Sequence, residues 1–175
     1  MNVPLPRIGG RQSAPPPDPS TLEIRRVLIA SEGRPISRRV IDYAAGLATS
    51  GGGRKASVHV FSVARIYGTS LGMPMPGLLP TRQEWDAQRE LVADAVRALK
   101  RRGLRSEGHV VATRNATKNI LKTAQKHYCD VIVMAADPPR HGLLGDFMWS
   151  QEAYRVQRKS PVPVYLVEHR HAERA

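Results

Sequence analysis

The chain has 175 residues, enough for one domain with a real core, and with only two Phe, two Trp and five Tyr that core falls to aliphatic side chains. A single cysteine, Cys129, excludes an internal disulfide, no secretory leader pattern opens the chain and no apolar run approaches a membrane span, so a cytoplasmic protein with no membrane partner is expected. The net charge is +12, and Arg97 to Lys126 supply +8 of it through nine basic residues against Glu107 alone, a field that attracts polyanions and acidic partners without specifying them.

Six prolines among residues 1–20, with Pro15-Pro16-Pro17 and Gly9-Gly10, leave nothing to pack, so residues 1–21 read as a disordered Pro-rich arm. The folded unit is expected over residues 22–169, followed by a short tail at 170–175. Arg25 to Ser31 is the first strand, and Glu32-Gly33-Arg34-Pro35 the turn after it. Ile36, Val40, Ala44, Leu47 and Ala48 recur at helical spacing, which predicts a helix from Pro35 to about Thr49, ended by Ser50-Gly51-Gly52-Gly53.

Lys55 to Ala64 alternates, Val58, Val60 and Ser62 against His59, Phe61 and Val63, and is the second strand. His59 lies within it as a packed or edge histidine with no catalytic partner in view. Arg65 to Pro80 is a long loop holding Met73 and Met75, of the kind that forms lids or contact surfaces. Thr81 and Glu84 then make a capping box for the longest helix, Thr81 to about Arg102.

Arg105 to Thr113 is the third strand, and Asn115 caps a helix that runs to about Tyr128. Lys118, Lys122 and Lys126, four apart, form one outward stripe on it. Val131 to Ala136 gives a fourth, continuously apolar strand, of the kind buried on both faces of a parallel sheet. A fourth helix is predicted from about Phe147 to Lys159, and Val162 to Glu168 as the fifth strand.

Five strands alternating with four helices predict a doubly wound α/β sheet in a single domain, with helices on both faces. In such a sheet ligands sit beyond the carboxyl ends of the strands, which directs attention to the loop at Asp137 to Ser150. Catalysis finds no footing: paired carboxylates, Cys/His metal spacing and nucleophile motifs are all missing, and His141 and Cys129 have no partner in the sequence. The chain is therefore not expected to be an enzyme or to hold a metal.

Over about residues 24–168 the chain resembles a universal stress protein. The likeness rests on Val27-Leu28-Ile29-Ala30-Ser31-Glu32-Gly33, on Ala44 to Ala48, on Ala124 to Ala135, and on Arg155 to Val167, which ends Ser160-Pro161-Val162-Pro163-Val164-Tyr165-Leu166-Val167. The resemblance implies the parallel strand order 3-2-1-4-5, a switch point between strands one and four, and a homodimer in which the fifth strands, Val162 to Glu168, pair. It also implies that helices three and four share a sheet face. Lys118, Lys122 and Lys126 then neighbour Arg155, Arg158 and Lys159 in one basic layer, a candidate surface for RNA, the ribosome or another polyanion.

In the nucleotide-binding branch of that family the fourth strand leads into Gly-x-x-Gly and a later Gly-Ser/Thr, whose N–H groups cradle ATP phosphates, while an acidic residue ending the first strand helps hold the nucleoside. The resemblance keeps that acid as Glu32. The loop departs from the pattern: Ala135 stands at the first glycine, Pro138 or Pro139 at the second and Trp149 before Ser150 at the third. Prolines remove backbone donors from a cradle that works through donors, and Asp137 and Asp146 add like charge beside a polyphosphate. The expectation is a regulatory or interaction dimer with an unidentified protein partner and no required cofactor. The alternative is an adenine-nucleotide sensor taking ATP or AMP through Glu32, Arg140, Gly142 and Ser150.

Overall fold

The computed structural model describes residues 23–52, 55–65, 79–136 and 151–168. The N-terminal arm, the tail, the Met73/Met75 loop and the loop after the fourth strand fall outside them, together with the predicted helix start at Phe147. The elements are β1 (Arg26–Ser31), α1 (Arg38–Gly52), β2 (Ser57–Arg65), α2 (Arg82–Arg101), β3 (Arg105–Thr113), α3 (Ala116–Lys126), β4 (Val131–Ala136), α4 (Glu152–Lys159) and β5 (Val164–Glu168). All strands are parallel, in the order β3-β2-β1-β4-β5. This is the predicted doubly wound sheet, with its switch point between β1 and β4.

Period-two alternation decides which residues meet which helices. Val27, Ile29, Val58, Val60, Val131 and Val133 face one side, where Val40, Ala44 and Ala48 of α1 and Val92, Ala95 and Leu99 of α2 close over them. Leu28, Ala30, Phe61, Val63, Ile132 and Met134 face the other, under Ala116, Ile120 and Ala124 of α3 and Ala153 and Val156 of α4. Aliphatic burial on both faces is the main source of stability, at about 25 cal/mol per Å² of apolar surface removed from water. At Gly108 in β3 the fit leaves no room for a side chain: a Cβ would stand 2.5 Å from Val92 Cγ1 and 2.9 Å from the Val60 carbonyl oxygen.

The helix ends explain where predicted boundaries move. The first helix starts at Arg38 instead of Pro35, after Ser37, whose Oγ accepts from the Val40 amide at 3.4 Å. The capping box of α2 forms as predicted, Glu84 N–H donating to Thr81 Oγ1 at 3.2 Å and Thr81 N–H to Glu84 Oε2 at 2.7 Å. Asn115 Oδ1 likewise caps α3, accepting from the Lys118 amide at 2.9 Å.

Both α2 and α3 close on a left-handed residue, Gly103 (φ +76°) and Tyr128 (φ +50°), which turns the chain sharply into the next strand. Around Tyr128 the amides of Tyr128 and Cys129 donate to the carbonyls of Gln125 (3.1 Å) and Ala124 (2.8 Å). The third helix therefore stops at Lys126, short of Tyr128. The fifth strand starts at Val164 instead of Val162, because Ser160 Oγ engages Val162 and Pro163 has no N–H to donate. Where β1 and β4 begin, the Asp130 carboxylate fastens them, its Oδ2 accepting from the amides of Arg25 (2.8 Å) and Arg26 (2.7 Å).

Candidate functional site

The carboxyl end of β1 runs into a turn held by its own polar groups. Ser31 donates its hydroxyl proton to the Arg34 carbonyl at 2.6 Å and accepts from the Gly33 amide at 3.2 Å, a geometry that Gly33 permits at φ +103°. Gln88 of α2 buttresses the turn, donating to the Gly33 carbonyl at 3.0 Å while its own Oε1 accepts from Ser62 of β2 at 2.8 Å. One polar chain thus joins β2, α2 and the turn behind the switch point.

Glu32, the acid kept at the end of the first strand, is 1% exposed, and its Oε1 takes both Nε (2.7 Å) and Nη2 (2.6 Å) of Arg34. A carboxylate that deep calls for a cation and directed hydrogen bonding, and Arg34 supplies the cation and, through Nε, one such bond. The open space beside the pair, bounded by Ile29, Ile36, Val40 and Ala135, is about 10 Å³, room for about one water. Arg140, Gly142 and Ser150, the other predicted nucleotide contacts, lie outside the described residues, as do Asp137, Pro138, Pro139, His141 and Asp146.

The helices α3 and α4 share a sheet face, and Lys118, Lys122, Lys126, Arg155, Arg158 and Lys159 are all exposed. Arg155 is in part neutralised, since Nη1 donates to Glu152 Oε1 at 2.8 Å. Elsewhere in the charge-rich segment Arg97 pairs with Glu90 and Asp94, and Arg102 with Asp42. The lysine stripe therefore carries more of the outward field than the bare count of cations suggests.

Cys129 is buried, and burial, with Asp130 adding to it and Arg26 opposing, pushes its thiol up to about 11. Such a thiol is not a nucleophile at neutral pH. His59 is packed, one of its two sequence readings, and its neighbours are ones the sequence did not bring into view: Glu107 and His109 of β3 and His127 at the end of α3. The strand register His59↔Glu107 and Phe61↔His109 was the only signal for this, and it becomes visible once the pairing of β2 with β3 is known.

The family profile described as "Universal stress protein family" matches residues 23–168. Among solved structures, a universal stress protein from Archaeoglobus fulgidus is similar, with 17% identity, a TM-score of 0.60, and coverage of 81% of this chain and 92% of that one. A universal stress protein in complex with cAMP aligns at 16% identity and TM-score 0.58 over 83% and 97% of the two chains. The Archaeoglobus fulgidus universal stress protein in complex with dAMP aligns at 19% and 0.55, over 83% and 98%. Among curated protein sequences, none matches.

Proposed function

Since the chain belongs to the universal stress protein family, we propose that it is a non-enzymatic regulatory domain of that type, acting through a protein partner and not through ATP held in the family's usual mode. The observation that carries this reading is the Glu32–Arg34 pair. The acid expected to hold a nucleoside is buried and paired with Arg34 of its own turn. The sequence of the following loop supports the same reading, because Pro138 and Pro139 cannot donate to phosphate. Dimerisation through the fifth strand belongs to this proposal: among the described strands β5 is an edge strand that pairs with β4 alone.

A second reading, a nucleotide-gated sensor, is favoured by the retention of an acid at Glu32 and by similar structures that hold cAMP and dAMP. Equilibrium binding of ATP, ADP, AMP and cyclic AMP to the purified protein separates the two, with Glu32→Ala and Ser150→Ala as controls. No binding at millimolar nucleotide is expected. Micromolar binding abolished by both substitutions would overturn the proposal in favour of the sensor.

The exposed lysines of α3 support a further partner class, RNA or another polyanion held by its phosphates; aromatic residues for base stacking are scarce there. Affinity for RNA should then fall steeply with salt, and Lys118→Ala with Lys122→Ala should weaken it and flatten the salt dependence. Binding indifferent to both would remove this class.

A further inference from the structure

Toward the amino ends of β2 and β3, on the face covered by α3, three imidazoles converge. Residues 59, 109 and 127 come from three different elements, so no spacing in the sequence announces them. One ring nitrogen from each lies within 4.8 Å of the others. His59 Nε2 stands 2.9 Å from His109 Nδ1, and the His127 ring stacks on His59 with centroids 3.8 Å apart.

The proton positions follow from the neighbour. Glu107 Oε1 lies 3.1 Å from His59 Nδ1, and an ionised carboxylate only accepts, so Nδ1 carries the proton and Nε2 presents its lone pair to the cluster. A histidine held by a carboxylate on its far nitrogen, with the near nitrogen free to ligate, is the arrangement that outer-sphere carboxylates give metal-binding histidines. His109 Nδ1 faces the same point. Without an ion it donates to His59 Nε2; moving its single proton to Nε2 turns the same atom into a ligand, with no change in charge.

We propose that His59, His109 and His127 form a binding site for a divalent transition-metal cation of the Zn²⁺ class, with Glu107 orienting His59 from outside the coordination sphere. Three imidazoles suit Zn²⁺, Co²⁺, Ni²⁺ and Cu²⁺, and oxygen-seeking Mg²⁺ or Ca²⁺ poorly. Metal–nitrogen bonds of about 2.0–2.1 Å at a tetrahedral centre separate ligand atoms by about 3.3 Å. The His59–His109 pair is close to that already, and the widest pair in the cluster must draw in by about 1.5 Å. His127 is the side chain placed to move, since it caps a helix and its side chain is 25% exposed.

One further feature favours the ligating form. A cleft of about 410 Å³ opens alongside, lined by His59, His127, Glu107, Arg26 and Cys129, and gives an ion a way in and a fourth ligand, water or anion, a place to bind. Three protein ligands with an open position is the coordination of exchangeable or reactive metal, in contrast to the closed four-ligand structural site. The site uses none of the residues at the Glu32 turn, so it stands or falls independently of the nucleotide question.

The test is titration of the untagged, chelator-treated full chain with Co²⁺ alone, read by its visible ligand-field bands, and with Zn²⁺ alone by calorimetry. One equivalent should bind, with the band intensity of a four- or five-coordinate ion, and Zn²⁺ should raise the unfolding temperature. His109→Ala and, at the more exposed helix end, His127→Gln should each abolish that equivalent while circular dichroism shows the fold retained. Glu107→Gln should weaken it by about 10–100-fold without abolishing it. His169→Ala with His171→Ala, at the tail, should leave it intact. Failure of micromolar Co²⁺ and Zn²⁺ to saturate the wild-type chain would overturn the proposal, as would binding that survives both His109→Ala and His127→Gln or disappears with the tail histidines.

Discussion

Glu152, the first residue of α4, reaches across to α3 and accepts from both the amide (3.1 Å) and the hydroxyl (2.5 Å) of Thr117 through a single oxygen, Oε2. The other oxygen holds Arg155. Burial works against the charged form of Glu152, but the Thr117 hydroxyl, Arg155 and the Thr117 amide together outweigh it and hold the carboxyl below its ordinary 4.5. The contact joins the first turns of two helices, each of which favours a negative charge there. It also fixes the chain where it leaves the loop after β4.

A carboxyl with a depressed pKa stabilises the fold fully above its unfolded pKa and ceases to as pH falls through the lower, folded value. Glu152→Gln should therefore cost about 1–2 kcal/mol at neutral pH, measured by urea unfolding. The deficit relative to wild type should shrink as pH drops below about 4.5. A deficit that stays constant into that acid range would show that the charge contributes nothing and only the shape of the side chain counts.

Gly108 sets how closely α2 can lie on β3. Gly108→Ala places a methyl 2.5 Å from Val92 Cγ1, 3.1 Å from Val96 Cγ2 and 2.9 Å from the Val60 carbonyl oxygen. The side chains can yield but the carbonyl cannot do so cheaply, so a loss of about 1–3 kcal/mol and a lower melting temperature are expected. Adding Val92→Ala should recover part of the loss in a double-mutant cycle and leave the part due to Val60. Full recovery would mean that the backbone clash is relieved by movement of the strand.

Tyr128 occupies a left-handed position that its neighbour in design, Gly103, fills without a side chain. A residue with a Cβ is penalised there by about 1–2 kcal/mol. Tyr128 recovers some of this where the Arg26 guanidinium lies 5.8 Å from its ring centroid, although the ring is 75% exposed. Tyr128→Gly should therefore stabilise the protein by about 0.5–1 kcal/mol, and Gly103→Ala should destabilise it by a similar amount. If Tyr128→Gly lowers the melting temperature, the contact with Arg26 outweighs the backbone preference.

The sheet was legible in the sequence because its signals are local. Alternation in Val58 to Val63 assigned each side chain to the correct face, and Thr81 with Glu84 marked a helix start to the residue. Boundaries slipped where one side chain competes with the periodic pattern: Ser37 delays α1, Tyr128 ends α3 early, and Ser160 with Pro163 shortens β5. The Glu32–Arg34 pair lay within a single recognised turn, yet nothing in its sequence says that the two side chains face inward together. The imidazole cluster was beyond reach for a different reason. Residues 59 and 109 meet only through the register of β2 with β3, and residue 127 joins them only because α3 stops where it does.

The handovers from α2 to β3 and from α3 to β4 each turn on a single left-handed residue and lead at once into paired strand. These tight handovers leave their rim of the sheet little freedom to change length. An extra residue between α3 and β4 would displace Asp130 from the amides of Arg25 and Arg26 and shift residue 127 off its partners. Descendants of this chain are accordingly expected to keep that connection at its present length.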